Sequence, residues 1–136
     1  MSNFAAQIAA FKREAIERCG SVHRAVAIQL FSDVIMDTPV LTGRLRGNWK
    51  VSINVPDRSE GSPDKSGSRG RGRIESVLAG SRTVDALILT NSLPYAYRIE
   101  YEGWSRNKSP LGMMRRNIVR FKSILRDELQ LYSHRL

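Results

Sequence analysis

The sequence has little cysteine, and it has no apolar run long enough to cross a membrane. The single cysteine, Cys19, excludes an internal disulfide framework. Its apolar neighbours in a predicted helix favour a buried structural thiol over a reactive one. Polar residues interrupt Phe4, Ile8 and Phe11, so the N-terminus lacks the continuous apolar core of a signal peptide. We therefore expect a soluble protein that is made in a cytoplasm.

Acidic residues are scarce relative to basic ones. The chain has 13 Asp and Glu against 22 Lys and Arg, which gives a net charge of +9 at pH 7. Such an excess attracts polyanions, and acidic protein partners fit it as well as nucleic acids do. Only two histidines occur, His23 and His134. A metal site needs several such ligands, and the sequence shows no pattern of them.

Catalytic motifs are also lacking. The sequence contains no recognisable nucleophile–base pair, metal cluster or phosphate-binding loop. Glu100 and Glu102 are two residues apart in a predicted helix, so they point in different directions and are expected to be structural. Their expected partners are arginines: Arg98, Arg44 or Arg46. We predict that the protein is not an enzyme and that it uses no cofactor or metal.

Apolar periodicity predicts an α+β fold in one domain spanning residues 1–136, with a small antiparallel sheet packed against N-terminal and C-terminal helices. The first helix spans Asn3 to Cys19, with its apolar face inward. Gly20-Ser21 is predicted to break or kink the helix, and a second helix then runs from Ser21 to Asp37. The strands are Trp49–Ile53 and Ala86–Thr90, and the second is expected to be buried on both faces.

The C-terminal half is predicted to add three more helices. A short one spans Ile74–Ala79, and another begins at Pro94 and ends at Gly103. The last runs from Met113 to Ser133. Its expected core stripe is Ile118, Phe121, Ile124, Leu125, Leu129 and Tyr132. Phe31 and Ile88 are expected in the core, so that their replacement by alanine leaves a cavity.

The stretch from Thr38 to Trp49 marks the change from helical to alternating apolar spacing. Pro39 disfavours helical geometry at Thr38 and lacks a backbone donor, so a helix is predicted to stop there. Gly43 permits the positive φ of a sharp turn, and the hydroxyls of Thr38 and Thr42 can bond nearby backbone groups. These features predict a helix-to-strand connection.

The segment from Asp57 to Arg73 contains no apolar residue, only Gly, Ser, Pro and charged residues. This composition predicts a long, exposed, flexible loop over residues 57–73. Its end alternates arginine and glycine, as do some segments that contact nucleic acid. The candidate partner-binding residues in it are Lys65, Arg69, Arg71 and Arg73.

Two segments together resemble the tail-completion proteins of tailed bacteriophages, also called minor tail or neck proteins. The first segment is Thr38–Trp49, and the second runs from Asn91 through the Pro110-x-Gly112-Met113 pattern. Leu41 stands where that family usually has an acidic residue. The residues that carry the resemblance as structural motif positions include Thr38, Pro39, Thr42, Gly43, Arg44, Leu93, Pro94, Tyr95, Ala96, Glu100 and Gly103.

The resemblance implies a structural virion protein at the head–tail junction, with no catalytic activity. Such proteins form rings around the DNA path, here most simply a hexamer, that complete the tail and join it to the head-side connector. The implied partners are further copies of the chain, a head-side connector or adaptor, and tail tube or terminator proteins. Contact with DNA in the channel is possible, and no membrane is involved.

The alternative is a small basic nucleic-acid-binding protein, which the net charge and the arginine–glycine segment suggest. Neither a helix-turn-helix pattern nor an aromatic platform for single strands supports it. In a ring, the basic segment is expected to contact a neighbouring protein rather than DNA, with DNA as the second candidate. Docking onto one neighbour needs fixed contacts, whereas passing DNA needs a surface that does not grip it.

Overall fold

In a computed structural model that describes residues 2–101 and 112–133, the chain combines helices with an antiparallel pair of strands. The described helices are α1 (Ser2–Asp37), α2 (Arg44–Gly47), α3 (Ser68–Leu78), α4 (Pro94–Tyr101), α5 (Met114–Val119) and α6 (Phe121–Ser133). The described strands are β1 (Lys50–Ile53) and β2 (Leu87–Thr90). The predicted mixture of helix and strand is therefore confirmed.

Helix α1 is continuous through Gly20-Ser21, so of the two predicted outcomes there the break is not found. The turn that precedes β2 lies against this part of the helix. Thr83 Oγ1 donates to the carbonyl oxygen of Ile16 at 3.0 Å, and Arg24 Nη1 donates to that of Ser81 at 3.2 Å. These two contacts hold the helix on both sides of Gly20. Tertiary contacts thus outweigh the low helix propensity of one glycine, about 1 kcal/mol.

The first half of α1 extends away from the core. Phe4, Ile8 and Phe11 are 71%, 53% and 73% exposed, and Ala15 and Cys19 are exposed too. The predicted inward face and the predicted buried thiol are therefore both wrong. The periodicity identified an apolar stripe correctly, but the described part of the chain does not cover it.

The two strands pair antiparallel, as predicted. Val51 lies opposite Leu89 and Ile53 opposite Leu87, and these four side chains pack against the core. Ser52 and Ile88 form the pair between these two, and their side chains point to the other face of the sheet. All of β2 is half-buried, so the prediction that both of its faces are buried is wrong, as is the core position of Ile88.

Helix α3 replaces the last third of the predicted loop. The helix begins at Ser68 and not at Ile74, so residues 68–73 belong to it. Its apolar residues Ile74 and Leu78 are fully buried, and Gly70 lets its backbone approach Ile35 of α1. Helix α3 contacts both α1 and β1, and it packs more closely on the sheet than either terminal helix does. The sheet packing predicted for the terminal helices is thus not found in that form.

The predicted C-terminal helix is two helices, α5 and α6, separated at Arg120. Buried Asn117 donates to Asp37 Oδ2 at 2.9 Å, which fixes α5 to the end of α1. Of the predicted core stripe, Ile124 and Leu125 are half-buried. Ile118, Phe121 and Leu129 are exposed, and the Tyr132 side chain lies outside the described part. Most of that stripe is therefore not core.

The core lies where the second half of α1 meets α3, α4 and the connection to β1. Phe31 is buried there, as predicted. The core members are Ala27, Phe31, Val34, Ile35, Leu45, Trp49, Ile74, Leu78, Leu93, Ala96, Ile99 and Met113. Within residues 2–101 and 112–133, no helix combines the length and apolarity that crossing a membrane requires.

The two isoleucines 74 and 88 provide a matched test of the core. Ile74→Ala should lower the free energy of unfolding by about 2–5 kcal/mol, because it leaves a cavity at a site with no solvent exposure. Ile88→Ala should cost less than half as much, because that side chain lies outside the core cluster. Urea unfolding of both variants measures the difference, and equal losses would contradict this assignment of the sheet faces.

Candidate functional site

The first of the two segments named above, Thr38–Trp49, begins where α1 ends. The Thr38 hydroxyl donates to the Val34 carbonyl oxygen at 2.7 Å and accepts the indole N–H of Trp49 at 2.7 Å. Thr38 and Trp49 are both buried. Pro39 follows at the predicted helix stop, which is confirmed. One hydroxyl thus joins the end of the helix to the residue before β1.

Arg46 caps the same helix end with its guanidinium group. This group donates to the carbonyl oxygens of Met36 and Thr38, both at 2.9 Å, and to that of Lys65 at 2.7 Å. Helix C-termini favour such cations because their last carbonyl groups lack partners within the helix. Burial, and then the nearby positive charge of Arg71, lower the pKa of Arg46 from its ordinary value. The neighbouring Arg44 is exposed on α2.

Gly43 makes the sharp turn between Thr38 and α2. Its φ is +84°, and an added Cβ atom would lie 2.6 Å from the backbone nitrogen of Lys65. Its carbonyl oxygen accepts the N–H groups of Gly47 at 2.8 Å and Asp64 at 2.9 Å. Thr42 Oγ1 accepts the N–H of Arg44 at 3.3 Å. The predicted roles of Gly43 and Thr42 in this turn are confirmed.

Two asparagines connect the first segment to the second. Asn48 Nδ2 donates to Asn91 Oδ1 at 3.0 Å and to Ser92 Oγ at 3.2 Å. Asn91 Nδ2 donates to the Leu45 carbonyl oxygen at 2.9 Å, while Asn91 Oδ1 accepts the N–H of Leu93 at 3.2 Å. We call this set of contacts between residues 38–49 and 91–93 the joint. Neither asparagine was among the predicted site residues.

The rest of the second segment forms α4 and its approach. Pro94 occupies the first helical position, as predicted, and is exposed. Leu93 and Ala96 are buried in the core, and Tyr95 is half-buried against it. Gly103, the predicted end of this helix, lies outside the described residues, as does most of the loop after it.

Glu100 is buried, and the contacts of its carboxylate lie at the start of α5 and not at Arg44 or Arg46, while Glu102 lies outside the described residues. Its carboxylate accepts the backbone N–H groups of Met113, Met114 and Arg115, the last two at 2.9 Å and 2.8 Å. Arg115 Nε lies 3.4 Å from Glu100 Oε1. The carboxylate therefore holds the start of α5, where N–H groups lack partners within the helix.

The four predicted partner-binding residues lie near the start of α3 but differ in role. Arg69 donates to the carbonyl oxygens of Ser62 at 3.1 Å and Pro63 at 2.6 Å, so it holds the preceding turn. Arg71 and Arg73 are exposed on α3, and Lys65 is exposed before it. Arg69 and Arg73 also line a cleft of about 210 Å³ with Lys50 and Glu60. These basic residues are thus presented by a helix and an anchored turn.

Asp64 orders the start of α3. Burial alone would raise the pKa of Asp64. Hydrogen bonds from the Ser66 hydroxyl and the N–H groups of Arg69 and Gly67, with the charge of Arg69, lower it below its ordinary value. The carboxylate is therefore favoured in its charged form where the basic residues begin.

The described residues bring together no group of three or more His, Cys, Asp or Glu side chains that could hold a metal ion. His134 lies outside the described part of the chain. The contacts of the joint link the buried Asn48 to the half-buried Asn91, which in turn contacts the backbone, so their evident effect is to fix two segments in register.

No protein-family model matches the chain, and no curated protein sequence or solved structure does.

The Thr38 hydroxyl can be tested with a matched pair of substitutions. Thr38→Val should lower the free energy of unfolding by about 1–3 kcal/mol, because the buried indole N–H of Trp49 loses its acceptor. Thr42→Val should cost less than about 1 kcal/mol, because that side chain is exposed. Urea unfolding followed by tryptophan fluorescence measures both changes. A loss for Thr42→Val as large as that for Thr38→Val would contradict the role of this contact.

The lowered pKa of Asp64 predicts a pH dependence. Its contribution to stability is complete above the unfolded value, about 3.9 for Asp, and is lost as the pH falls through the lower folded-state pKa. Asp64→Asn should therefore lose less stability than the parent chain between about pH 5 and pH 2. Urea unfolding across this range measures the slopes, with Glu60→Gln in the same turn as control. Identical slopes for Asp64→Asn and the parent would contradict the prediction.

Proposed function

We propose that this protein is a structural component of the neck of a tailed bacteriophage, where a ring of copies completes the tail and joins it to the head-side connector around the DNA path. The observation that carries the proposal is the joint. The two segments that resemble tail-completion proteins lie more than 40 residues apart in sequence, yet Asn48 and Asn91 bond them directly.

The contacts within and around these two segments also support the proposal, because they give the residues that carry the resemblance a common structural purpose. Thr38 holds Trp49, Gly43 makes a turn that a side chain would obstruct, and Glu100 holds the start of α5. These positions constrain the fold and carry no evident chemistry. Their residue types are therefore expected in proteins that share an architecture and act through their surfaces.

A ring also needs two different surfaces on each copy, since heterologous contacts join one patch to another on the next subunit. The described residues offer two candidate surfaces that differ in chemistry. One is the exposed apolar stripe of α1, and the other is the basic start of α3 with Arg71 and Arg73. We propose six copies by resemblance, located in the virion after synthesis in the host cytoplasm.

We assign the basic start of α3 to a neighbouring protein of the neck, such as the head-side connector, a terminator or the tail tube. Arginine makes paired hydrogen bonds to carboxylates, and a helix fixes the geometry of such contacts better than a free loop does. DNA in the channel is the second candidate for this surface, because phosphates accept the same bonds. The protein is proposed to act without catalysis, cofactor or membrane.

The proposal is tested in the bacteriophage or prophage whose genome encodes the chain. A nonsense mutation in the gene should yield DNA-filled heads and separate tails, and expression of the protein in trans should restore joined particles. Electron microscopy of the lysates distinguishes these products, and a map of whole particles should place the chain at the neck. Normal joined particles made in the absence of the protein would overturn the proposal.

The basic surface is tested by the double substitution Arg71→Ser and Arg73→Ser. Both side chains are exposed, so the isolated protein should keep its unfolding free energy within about 0.5 kcal/mol. Joining of heads to tails should fall sharply because the contact loses two cations. The matched control is Arg13→Ser with Arg58→Ser, which removes the same charge from other exposed positions.

Counting joined particles and infectious titre gives the readout. Loss of joining in both double variants would indicate a general charge effect and contradict the specific contact. Binding of random-sequence DNA measured at several salt concentrations tests the alternative function. If the double variant Arg71→Ser with Arg73→Ser abolished DNA binding but left joining intact, the hypothesis of a nucleic-acid-binding protein would replace the proposed neck function.

A further inference from the structure

An open apolar groove lies between the second half of α1, the start of β2, and α6. Its volume is about 660 Å³. Its apolar lining includes Val22, Val26, Leu30, Leu87, Leu125 and Leu129. Arg18 and His23 are the basic residues along it, and both lie on α1. Leu129 is 50% exposed, so the groove leaves apolar surface in contact with water.

The groove continues into the exposed stripe of α1. A helix turns about 100° per residue, so Phe4, Ile8 and Phe11 lie within about 60° of one another around its axis. Val22 and Val26 fall in the same sector and belong to the groove. One helix therefore carries an exposed apolar stripe at one end and the floor of an open apolar groove at the other.

We propose that the stripe formed by Phe4, Ile8 and Phe11 docks into this groove on a second copy of the chain. The spacing i, i+4, i+7 is that of an amphipathic helix that lies in an apolar groove. The stripe is 71%, 53% and 73% exposed at these positions, so its docking would remove apolar side chains from water.

Area and charge both favour a second copy as the occupant. Buried aromatic side chains cover about 150–250 Å² each, so Phe4 and Phe11 supply a large part of the roughly 800 Å² per partner that a stable interface buries. Glu14 lies about 90° from the centre of the stripe, at its flank. The groove's charged residue, Arg18, is complementary to that carboxylate. Arg18 already pairs with Glu14 of its own chain at 3.8 Å, through exposed side chains that can exchange partners.

The contact joins different surfaces of the two copies. Repeated around an axis it closes a ring, and made reciprocally it closes a pair. The inference deepens the proposed function by naming the contact between ring neighbours, and it rests on that function only for the number of copies. The docking itself rests on the stripe and the groove.

Complementary variants of the full chain test the docking. Phe11→Glu damages the stripe and leaves the groove intact, whereas Leu129→Glu damages the groove and leaves the stripe intact. Light scattering coupled to size exclusion should show a multiple of the 15.4 kDa chain mass for the parent and a single chain for each variant. An equimolar mixture of the two variants should form one-to-one pairs, because one intact stripe meets one intact groove.

Val84→Glu is the matched control, because Val84 is an apolar residue that is 82% exposed and belongs neither to the stripe nor to the lining of the groove. It should assemble like the parent. Circular dichroism should show the parental helix content in all three variants, since each substituted side chain is at least half exposed. A second readout uses Cys19, the one cysteine of the chain, which is exposed and lines the groove.

In the mixture, maleimide labelling of Cys19 should slow several-fold on the Phe11→Glu chain, whose groove is filled, and should be unchanged on the Leu129→Glu chain. Mass spectrometry separates the two labelled chains.

A monomeric parent, a mixture that stays monomeric, or equal disruption by Val84→Glu would each overturn the docking. If the parent forms only pairs, both in solution and within particles, this result would support the docking and contradict the proposed ring. A ring that still forms with Phe11→Glu would support the proposed ring and contradict the docking.

Discussion

The architecture depends on one buried hydroxyl group, that of Thr38, at the end of α1. It donates to the Val34 carbonyl oxygen and accepts the indole N–H of Trp49, so a single oxygen atom links the long helix to the sheet. Because Trp49 immediately precedes β1, the position of the first strand follows from where α1 stops. Asn48 extends the same constraint to Asn91 and hence to α4. The proline that follows α1 therefore also helps to position β1 and α4.

The elements that the sequence predicted correctly depend on local sterics or short-range periodicity. Pro39 ends α1 and Pro94 begins α4, because a fixed φ and a missing N–H act within a few residues. Alternating apolar residues identified the first strand, and a compact apolar run bounded by Asp85 and Asn91 identified the second. Their antiparallel pairing was predicted as the simplest layout for two strands. Gly43 was identified as a turn residue for the same local reason, and its φ of +84° agrees.

The parts that were missed depend on contacts between distant residues. Glycine and arginine composition predicted a loop, but Ile74 and Leu78 anchor the α3 helix against α1. The partner of Glu100 is 15 residues away and follows from no local pattern, and the bond from Asn48 to Asn91 spans 43 residues. A signal for α3 was available, because Ile74, Val77 and Leu78 have helical spacing and the helix could have been extended backward from them.

The unbroken course of α1 has a geometric consequence for assembly. Ile8 and Val26 are 18 residues apart, which in an ideal α-helix is about five full turns and about 27 Å. The stripe and the groove floor thus point in the same direction at a fixed separation. Each inserted residue between them would rotate one surface by about 100° relative to the other, whereas an insertion of 18 residues would restore their relative orientation. In α1 the number of residues therefore encodes an angle as well as a distance.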